Sequence, residues 1–203
     1  MQIYGIVSFM ITQEVQRISK QVKTLGHALT SFDSLGIPEY LNLSESLVSA
    51  VEGTEQFRDI AIMGRTGMLM FREEAPLDAG MRLAQPVAEI LFANKPNAIM
   101  QMGVYAVNQY ETGDFFNPHQ DHFDGTIMIM TPQGHRQLDI YKKEPEDDVF
   151  TEVTHSYDLH AGSILVLNGF HNLGHAAKCI AGPSISVVAD IPLALSNDER
   201  NEE

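Results

Sequence analysis

The sequence predicts a mainly β protein with flanking α-helices, built around a double-sheet jelly roll, which is also called a double-stranded β-helix. From residue 98 onward, short strand-forming segments alternate with Gly, Pro, Asp and Asn, and this spacing is typical of a jelly roll. Before that point, apolar residues recur at steps of three and four, which is the period of a helix. The length of 203 residues and the 44% apolar content predict one globular domain with a sizeable core.

The first half of the chain, residues 1–97, is expected to supply strands and bracing helices. The apolar stretch at residues 1–11 is predicted to be a strand, after which Thr12 caps a helix that ends at Gly26. A second short helix is predicted at residues 43–51. These helices are expected to cover the outside of a sheet.

Two further elements are predicted before the jelly roll. Residues 60–71 are predicted to form a strand pair that turns at residues 64–67, because glycines stand at both ends of that turn. Residues 77–94 have the apolar spacing of a helix. Pro86 must kink or restart this helix, because proline lacks the backbone donor that an unbroken helix uses.

Six strands are predicted within the jelly-roll core, which is assigned to residues 98–195. They are placed at residues 100–110, 125–130, 136–141, 149–154, 163–167 and 184–191. Residues 142–148 read K-K-E-P-E-D-D and are expected to form an exposed hairpin loop. The acidic tail at residues 196–203 is expected to be flexible and solvated.

The composition argues against several kinds of partner. The net charge is −14 and the 13 basic residues are scattered, whereas proteins that bind a phosphate backbone cluster such residues. Cys179 is the only cysteine in the sequence, so an internal disulfide is impossible and an oxidising compartment is not implied. The apolar stretch at the start is too short to cross a bilayer. We therefore expect a cytoplasmic protein with neither nucleic-acid nor membrane partners; the sequence carries no signal for its oligomeric state.

A candidate metal site lies in residues 107–121, which read V-N-Q-Y-E-T-G-D-F-F-N-P-H-Q-D. His119 and Asp121 are two residues apart, so on an extended strand both side chains leave the same face. An imidazole and a carboxylate are two of the three ligands in the 2-His-1-carboxylate set that binds Fe(II). That set leaves the opposite coordination positions open for oxygen and a co-substrate.

The H-x-D pattern alone is weakly specific. With 8 His in this composition, roughly one chain in two contains such a match by chance, and His122 with Asp124 is a second one. Asp124 precedes Gly125 in a turn signal, which favours placing His119 and Asp121 on the strand before that turn. The competing interpretation is that these histidines are ordinary surface residues of a loop.

The third ligand must come from a distant part of the chain. Two histidines compete for this role, and His175 is favoured over His171. A strand-forming segment and a glycine turn precede His175, and the last predicted strand follows it. His171 is interpreted as a residue of the rim, within reach of a substrate.

The residues around these ligands carry a family resemblance. The pattern N-x-Y-x-x-G at Asn108, Tyr110 and Gly113 is followed six residues later by H-x-D, and downstream come A-G-S-I-L-V-L-N-G at residues 161–169, His175, and G-P-S-I-S-V-V-A-D-I. Over the last half of the chain, this order resembles the iron(II)- and 2-oxoglutarate-dependent oxygenases. The resemblance implies that His119, Asp121 and His175 bind Fe(II), with 2-oxoglutarate as co-substrate and O₂ as oxidant.

The resemblance also raises the question of what binds the far carboxylate of 2-oxoglutarate. A buried carboxylate needs a cationic partner, which relatives usually supply from an R-x-S pair on the last strand. Here Ser184 and Ser186 stand in that region without a basic residue. Arg136 is the predicted replacement, because it alternates onto the same strand face as Leu138 and Ile140. Alternatively, Arg136 lies at the end of its strand and reaches solvent.

Four polar residues are predicted to assist at the co-substrate. Asn108 and Tyr110 share a strand face and offer an amide and a phenol to its carboxylates or to a metal-bound water. Core filling is the alternative role for Tyr110. Ser184 and Ser186 are predicted to donate weak hydrogen bonds.

The resemblance implies an Fe(II)/2-oxoglutarate-dependent dioxygenase that hydroxylates, desaturates or cyclises a small-molecule substrate. Halogenation is not expected, because Asp121 occupies the position that a halide would need. Two other hypotheses remain open from the sequence. One is an Fe(II) oxygenase on the same fold that does not use 2-oxoglutarate, and the other is a metal-binding jelly roll without catalysis.

Overall fold

A computed structural model describes residues 2–54, 65–66, 69–71, 73–121, 123–143, 150–171 and 173–195. The helices in these ranges are α1 (Gln2–Leu25), α2 (Tyr40–Glu52), α3 (Glu74–Leu91) and the single turn α4 (Pro96–Ile99). The strands are β1 (His27–Ser31), β2 (Arg65–Thr66), β3 (Leu69–Phe71), β4 (Gly103–Tyr110), β5 (Phe115–His119), β6 (Thr126–Lys143), β7 (Phe150–His160), β8 (Ser163–Asn168) and β9 (Gly174–Ile191). A 3₁₀ turn, η1 (Gly169–His171), precedes β9.

The two longest strands, β6 and β9, each have 18 residues and organise the sheet structure. They pair antiparallel with each other along most of their length. One half of each long strand lies in a sheet with the order β1-β8-β6-β9-β4-β3. The other half of β6 pairs with β7, and the other half of β9 pairs with β5, which also pairs with β2. The prediction of a mainly β jelly roll with flanking helices is confirmed.

Side-chain alternation along the strands builds two cores. On β6, Ile127 and Ile129 face the space between the two halves of the jelly roll, whereas Met128 and Met130 face the helices. The helix-side core includes Leu47 of α2 and residues of α1 and α3. The middle strands are therefore buried on both faces, which explains why segments such as T-I-M-I-M-T read as nearly continuous apolar runs. The inner core surrounds the candidate site.

The prediction of an N-terminal strand at residues 1–11 is wrong. The helix α1 begins at Gln2 and includes this stretch. Ile11 extends the apolar helical stripe of Val15, Ile18 and Val22 by one more turn. Thr12 is therefore inside the helix, where its hydroxyl donates to the Ser8 carbonyl 2.9 Å away instead of capping. The predicted end at Gly26 is confirmed, since its φ is +83°.

Other helix and strand predictions also need correction. In the described part of residues 60–71, β2 pairs with β5 and β3 pairs with β4, so they do not form the predicted hairpin with each other. The helix at 43–51 is confirmed as α2, and α3 continues through Pro86 without a break. The strand β1 was not predicted, and the strand expected to carry His119 and Asp121 is β5, which ends at His119. Residues 144–148 of the predicted hairpin loop, and the tail at 196–203, lie outside the described residues.

The two strands predicted at residues 125–130 and 136–141 are one strand, β6. Pro132 and Gly134 had indicated a turn between them, but the pairing with β9 instead shows register shifts at this point. Gly134 adopts a φ of +83°, which a glycine reaches without steric cost. The irregularity bends β6 and lets it pass from one half of the jelly roll to the other. In the described ranges, no helix has the length and apolar content needed to cross a membrane.

His27 lies at the edge where β1 approaches β7. Only 2% of its surface is exposed, and its Nδ1 lies 2.6 Å from the hydroxyl oxygen of Tyr157. The ring of His155 is 4.4 Å away between centroids. Burial, followed by the nearby His155 and His171, lowers the pKa of His27 to about 4.

This arrangement predicts that acid destabilises the fold through His27. In the unfolded chain the imidazole takes up a proton near its ordinary pKa of 6.5, whereas in the folded protein it does so only near pH 4. The stabilisation is present above pH 6.5 and is lost as the pH falls toward 4, by about 2 kcal/mol between about pH 7.5 and pH 5. Urea unfolding of the wild type and of His27→Gln at both pH values measures this difference. An equal pH dependence in the two proteins would contradict the assignment.

Candidate metal centre

Two histidines meet across a pair of strands. His119 is the last residue of β5 and His175 is the second residue of β9, and the register of the two strands places them directly opposite each other. Their ring centroids are 4.3 Å apart. Asp121 follows two residues after the end of β5 and turns its carboxylate toward both rings. The expected common strand therefore ends at His119, and Asp121 reaches the site from a loop.

The donor atoms of these three side chains have the spacing of a metal site. Nε2 of His119 lies 3.7 Å from Oδ1 of Asp121, and Nε2 of His175 lies 3.5 Å from Oδ2. One ligand atom from each residue lies within 4.8 Å of the others. Donors about 2.1 Å from a single ion, at tetrahedral to octahedral angles, are about 3.0–3.4 Å apart. The observed separations are within a few tenths of an ångström of that range, and this donor set fits Fe(II).

The histidines are held in the form that binds a metal. Nδ1 of His119 lies 2.9 Å from the backbone carbonyl of Asn117, so it carries the proton and Nε2 keeps its lone pair for a metal. His175 is only 5% exposed. Burial lowers the pKa of His175, although the Asp121 carboxylate opposes this effect, and the lowered pKa favours the neutral ring that ligation requires.

The competing histidines have different positions. His171 lies in η1, is exposed to solvent and does not belong to the group of converging donors. His122 lies outside the described residues, so the alternative pair of His122 and Asp124 stays untested.

The group of converging donors opens into a cavity of about 280 Å³ inside the jelly roll. Its walls are the inner faces of β4, β6 and β9. Apolar side chains such as Ile129, Leu138 and Val188 form much of the lining. The predicted polar residues that line it are Asn108, Tyr110, Arg136 and Ser186.

Arg136 is the most deeply buried charge in this cavity. It is 1% exposed, and it shares the inner face of β6 with Leu138 and Ile140, as predicted. The alternative in which Arg136 reaches solvent is therefore wrong. Its Nη2 donates to the Thr131 hydroxyl at 2.8 Å, and its Cζ lies 5.3 Å from the centre of the Tyr110 ring.

This guanidinium lacks an anionic partner among the described side chains. No described carboxylate forms an ion pair with Arg136, and its Nε is buried without a hydrogen bond. Burial lowers the pKa of Arg136, an effect that the neighbouring Tyr110 opposes. An uncompensated buried charge is costly for a folded protein. The arrangement therefore leaves a place for an anion in the cavity.

Comparison with known proteins identifies the fold. A prolyl hydroxylase from Trichoplax adhaerens, in complex with a hypoxia inducible factor oxygen degradation domain peptide fragment, is 13% identical over 89% of this chain and 90% of its own, with a TM-score of 0.57. A Pseudomonas putida prolyl-4-hydroxylase is 15% identical over 88% of this chain and 98% of its own, with a TM-score of 0.60. The chain has the fold of the iron(II)- and 2-oxoglutarate-dependent oxygenases.

A third solved structure with this oxygenase fold is the non-haem α-ketoglutarate-dependent epimerase SnoN from nogalamycin biosynthesis. It is 15% identical over 89% of this chain and 82% of its own, with a TM-score of 0.58. No protein-family model matches the sequence, and no curated protein matches it.

Within the oxygenase fold, the polar residues expected at the co-substrate divide into two groups. Asn108 and Ser186 face each other across β4 and β9, are buried and line the cavity. Oδ1 of Asn108 has no hydrogen-bond partner among the described residues. Tyr110 lines the cavity and also packs against Cys179, so it fills the core as well. Ser184 does not line the cavity, because its hydroxyl donates to the Gln133 carbonyl at 3.0 Å.

The sequence analysis did not identify one residue that lies beside the three donors. The hydroxyl of Tyr105 donates to Oδ2 of Asp121 at 2.9 Å. Burial, and next the negative charge of Asp121, raise the pKa of the Tyr105 phenol. Regular alternation along β4 would place Tyr105 on the face opposite Asn108, so no sequence pattern pointed to it.

Proposed function

We propose that this protein is a non-haem Fe(II)- and 2-oxoglutarate-dependent dioxygenase that oxidises a small-molecule substrate. The oxidation is a hydroxylation or, with different positioning of the substrate, a desaturation or cyclisation. The observation that carries the proposal is the buried guanidinium of Arg136, which has no ion-pair partner among the described side chains and shares one cavity with the converging donors of His119, Asp121 and His175. A metal alone does not require such a charge, whereas a dicarboxylate co-substrate does.

The three donors would hold Fe(II) on one side only. When bound there, the metal supplies the site at which O₂ is activated at the expense of 2-oxoglutarate. The two neutral imidazoles and one carboxylate leave a net positive charge on the metal group, which favours an anionic co-substrate. The remaining parts of the proposal concern how the chain binds and orients that co-substrate.

Arg136 is placed to bind the far carboxylate of 2-oxoglutarate. On β6, Arg136 is four residues before Ile140, which pairs with His175, so the two ends of the site are about 13 Å apart along the strand. The metal bonds at one end and the long arginine side chain at the other span part of this distance. An extended five-carbon diacid fits the remaining gap. The planar guanidinium offers paired donors to a carboxylate, and Thr131 holds one of its nitrogens in place.

Other cavity residues orient and isolate the co-substrate. Asn108 and Ser186 add an amide and a hydroxyl to the lining of the same cavity. The apolar side chains of Ile129, Leu138 and Val188 exclude water, which strengthens the interaction between the guanidinium and a carboxylate.

The size of the cavity limits what else enters it. Its volume of about 280 Å³ is at the lower end for sites that enclose a whole ligand, so a bound co-substrate leaves room for only part of a second molecule. A substrate then presents its reacting group, from the side of the cavity where Tyr105 is partly exposed. The net charge of −14 favours a neutral or cationic metabolite.

A turnover assay tests the proposal. Purified protein is mixed with Fe(II), 2-oxoglutarate and air, and succinate is measured with and without candidate substrates. We expect succinate release that requires both Fe(II) and 2-oxoglutarate. Oxygen uptake with a substrate but without succinate would instead support an oxygenase that uses another reductant. Metal binding with neither succinate nor oxygen uptake would support a non-catalytic module.

A further inference from the structure

Tyr105 reaches the metal centre because of an irregularity in β4. Val104 pairs with Ala189 of β9 and Ala106 pairs with the adjacent Val188, so Tyr105 has no partner residue and forms a bulge. A bulge turns two successive side chains toward one side of the sheet. Tyr105 and Ala106 accordingly both line the cavity, although neighbours on a regular strand would face opposite ways.

The carboxylate that Tyr105 contacts belongs to Asp121, which lies on a loop and not on a strand. Asp121 lies beyond the end of β5, so no ladder of backbone hydrogen bonds sets its direction. The Tyr105 hydroxyl donates to its Oδ2 at 2.9 Å, and the same oxygen lies 3.5 Å from Nε2 of His175. The other oxygen, Oδ1, lies 3.7 Å from Nε2 of His119. A phenol has a single O–H, so it donates to one acceptor. The contact therefore sets the direction in which the Asp121 carboxylate faces the two histidines.

We propose that Tyr105 is a positioning residue that fixes the direction of the Asp121 carboxylate and so completes the donor set that a metal would meet. This inference rests on the proposed function. Asp121 lies on a loop beyond β5, and the Tyr105 hydroxyl holds its carboxylate beside both histidines. Without that hydrogen bond the carboxylate would turn more freely, and its oxygens would face a metal in more than one way.

The test compares Tyr105→Phe with the wild type in binding of Co(II), without oxygen or 2-oxoglutarate. The substitution removes only the hydroxyl from a side chain that is 43% exposed, so the packing of β4 is retained. We expect Co(II) affinity to fall about tenfold, as is usual when a partner of a metal ligand is lost. The visible absorption of bound Co(II) should also change, because its intensity depends on the coordination number. Tyr40→Phe is the matched control, since Tyr40 stacks on Phe32 away from the site.

A double substitution shows whether Tyr105 acts through Asp121. In an Asp121→Ala background, Tyr105→Phe should cause no further loss of Co(II) affinity. Wild-type affinity together with a wild-type Co(II) spectrum in Tyr105→Phe would overturn the inference and leave the proposed function standing. A wild-type protein that binds no Co(II) would overturn both. If Tyr105→Phe shows the expected loss of Co(II) affinity but the wild-type protein releases no succinate, the proposed function is refuted and the role of Tyr105 is supported.

Discussion

Arg136→Met is expected to weaken 2-oxoglutarate binding by about a hundredfold or more while stabilising the protein that lacks the co-substrate. The far carboxylate would lose its buried, charge-assisted partner, a change that costs about 2–5 kcal/mol. Without co-substrate, the same guanidinium is an uncompensated charge that is 1% exposed. An apolar side chain of similar length removes that cost and should stabilise the fold by about 1 kcal/mol or more.

This pair of opposite effects distinguishes a binding role from a structural one. Binding of 2-oxoglutarate is measured with Co(II) in the site, and stability by thermal unfolding of the protein without ligands. Arg82→Met is the matched control, because Arg82 is exposed on α3 and both quantities should stay at wild-type values. Arg136→Lys should bind with intermediate affinity, since it keeps the charge but not the paired donors. Unchanged 2-oxoglutarate affinity in Arg136→Met would reject the anchoring role.

His175→Ala is expected to abolish metal-dependent succinate release and to weaken metal binding by more than the roughly 10- to 100-fold lost with an outer partner of a ligand. The reason is geometric. His119 and Asp121 lie close together in the chain, whereas His175 is the member of this donor group that belongs to β9. Two ligands on one side of an ion do not define a facial site.

His171→Ala is the matched control for His175→Ala. His171 is also a histidine near the start of β9, but it is exposed in η1 and outside the converging donors. Titration with Co(II) and measurement of succinate on both variants compare the two residues directly. Loss of metal binding in His171→Ala, with retention in His175→Ala, would reverse the assignment of the third ligand.

The inner face of β6 could be predicted from the sequence because it depends only on strand alternation. Arg136, Leu138 and Ile140 are two residues apart, and each is buried as expected. The helical stripe in α1 was read correctly from Val15 onward. Its earlier part was misassigned, because a short apolar run has no polar face to reveal its period.

Turn-favouring residues and strand irregularities were harder to interpret from the sequence. Pro132 and Gly134 indicated a turn, but neighbouring strands supply hydrogen bonds on both sides of this segment, and β6 bends instead of ending. Tyr105 was missed for a related reason. Its bulge exists only because β4 and β9 pair with a shift at Val104 and Ala106, and neither strand shows that shift on its own.

The sequence by itself determined the types of donor, the strand face that carries Arg136 and the jelly-roll class of the fold, because these follow from residue chemistry and local periodicity. Only the tertiary structure decided that His119 lies opposite His175, that Asp121 approaches from a loop, and that a buried cation faces the same cavity. The physical reason is that strand register depends on hydrogen bonds and packing between segments far apart in the chain, which local periodicity does not specify.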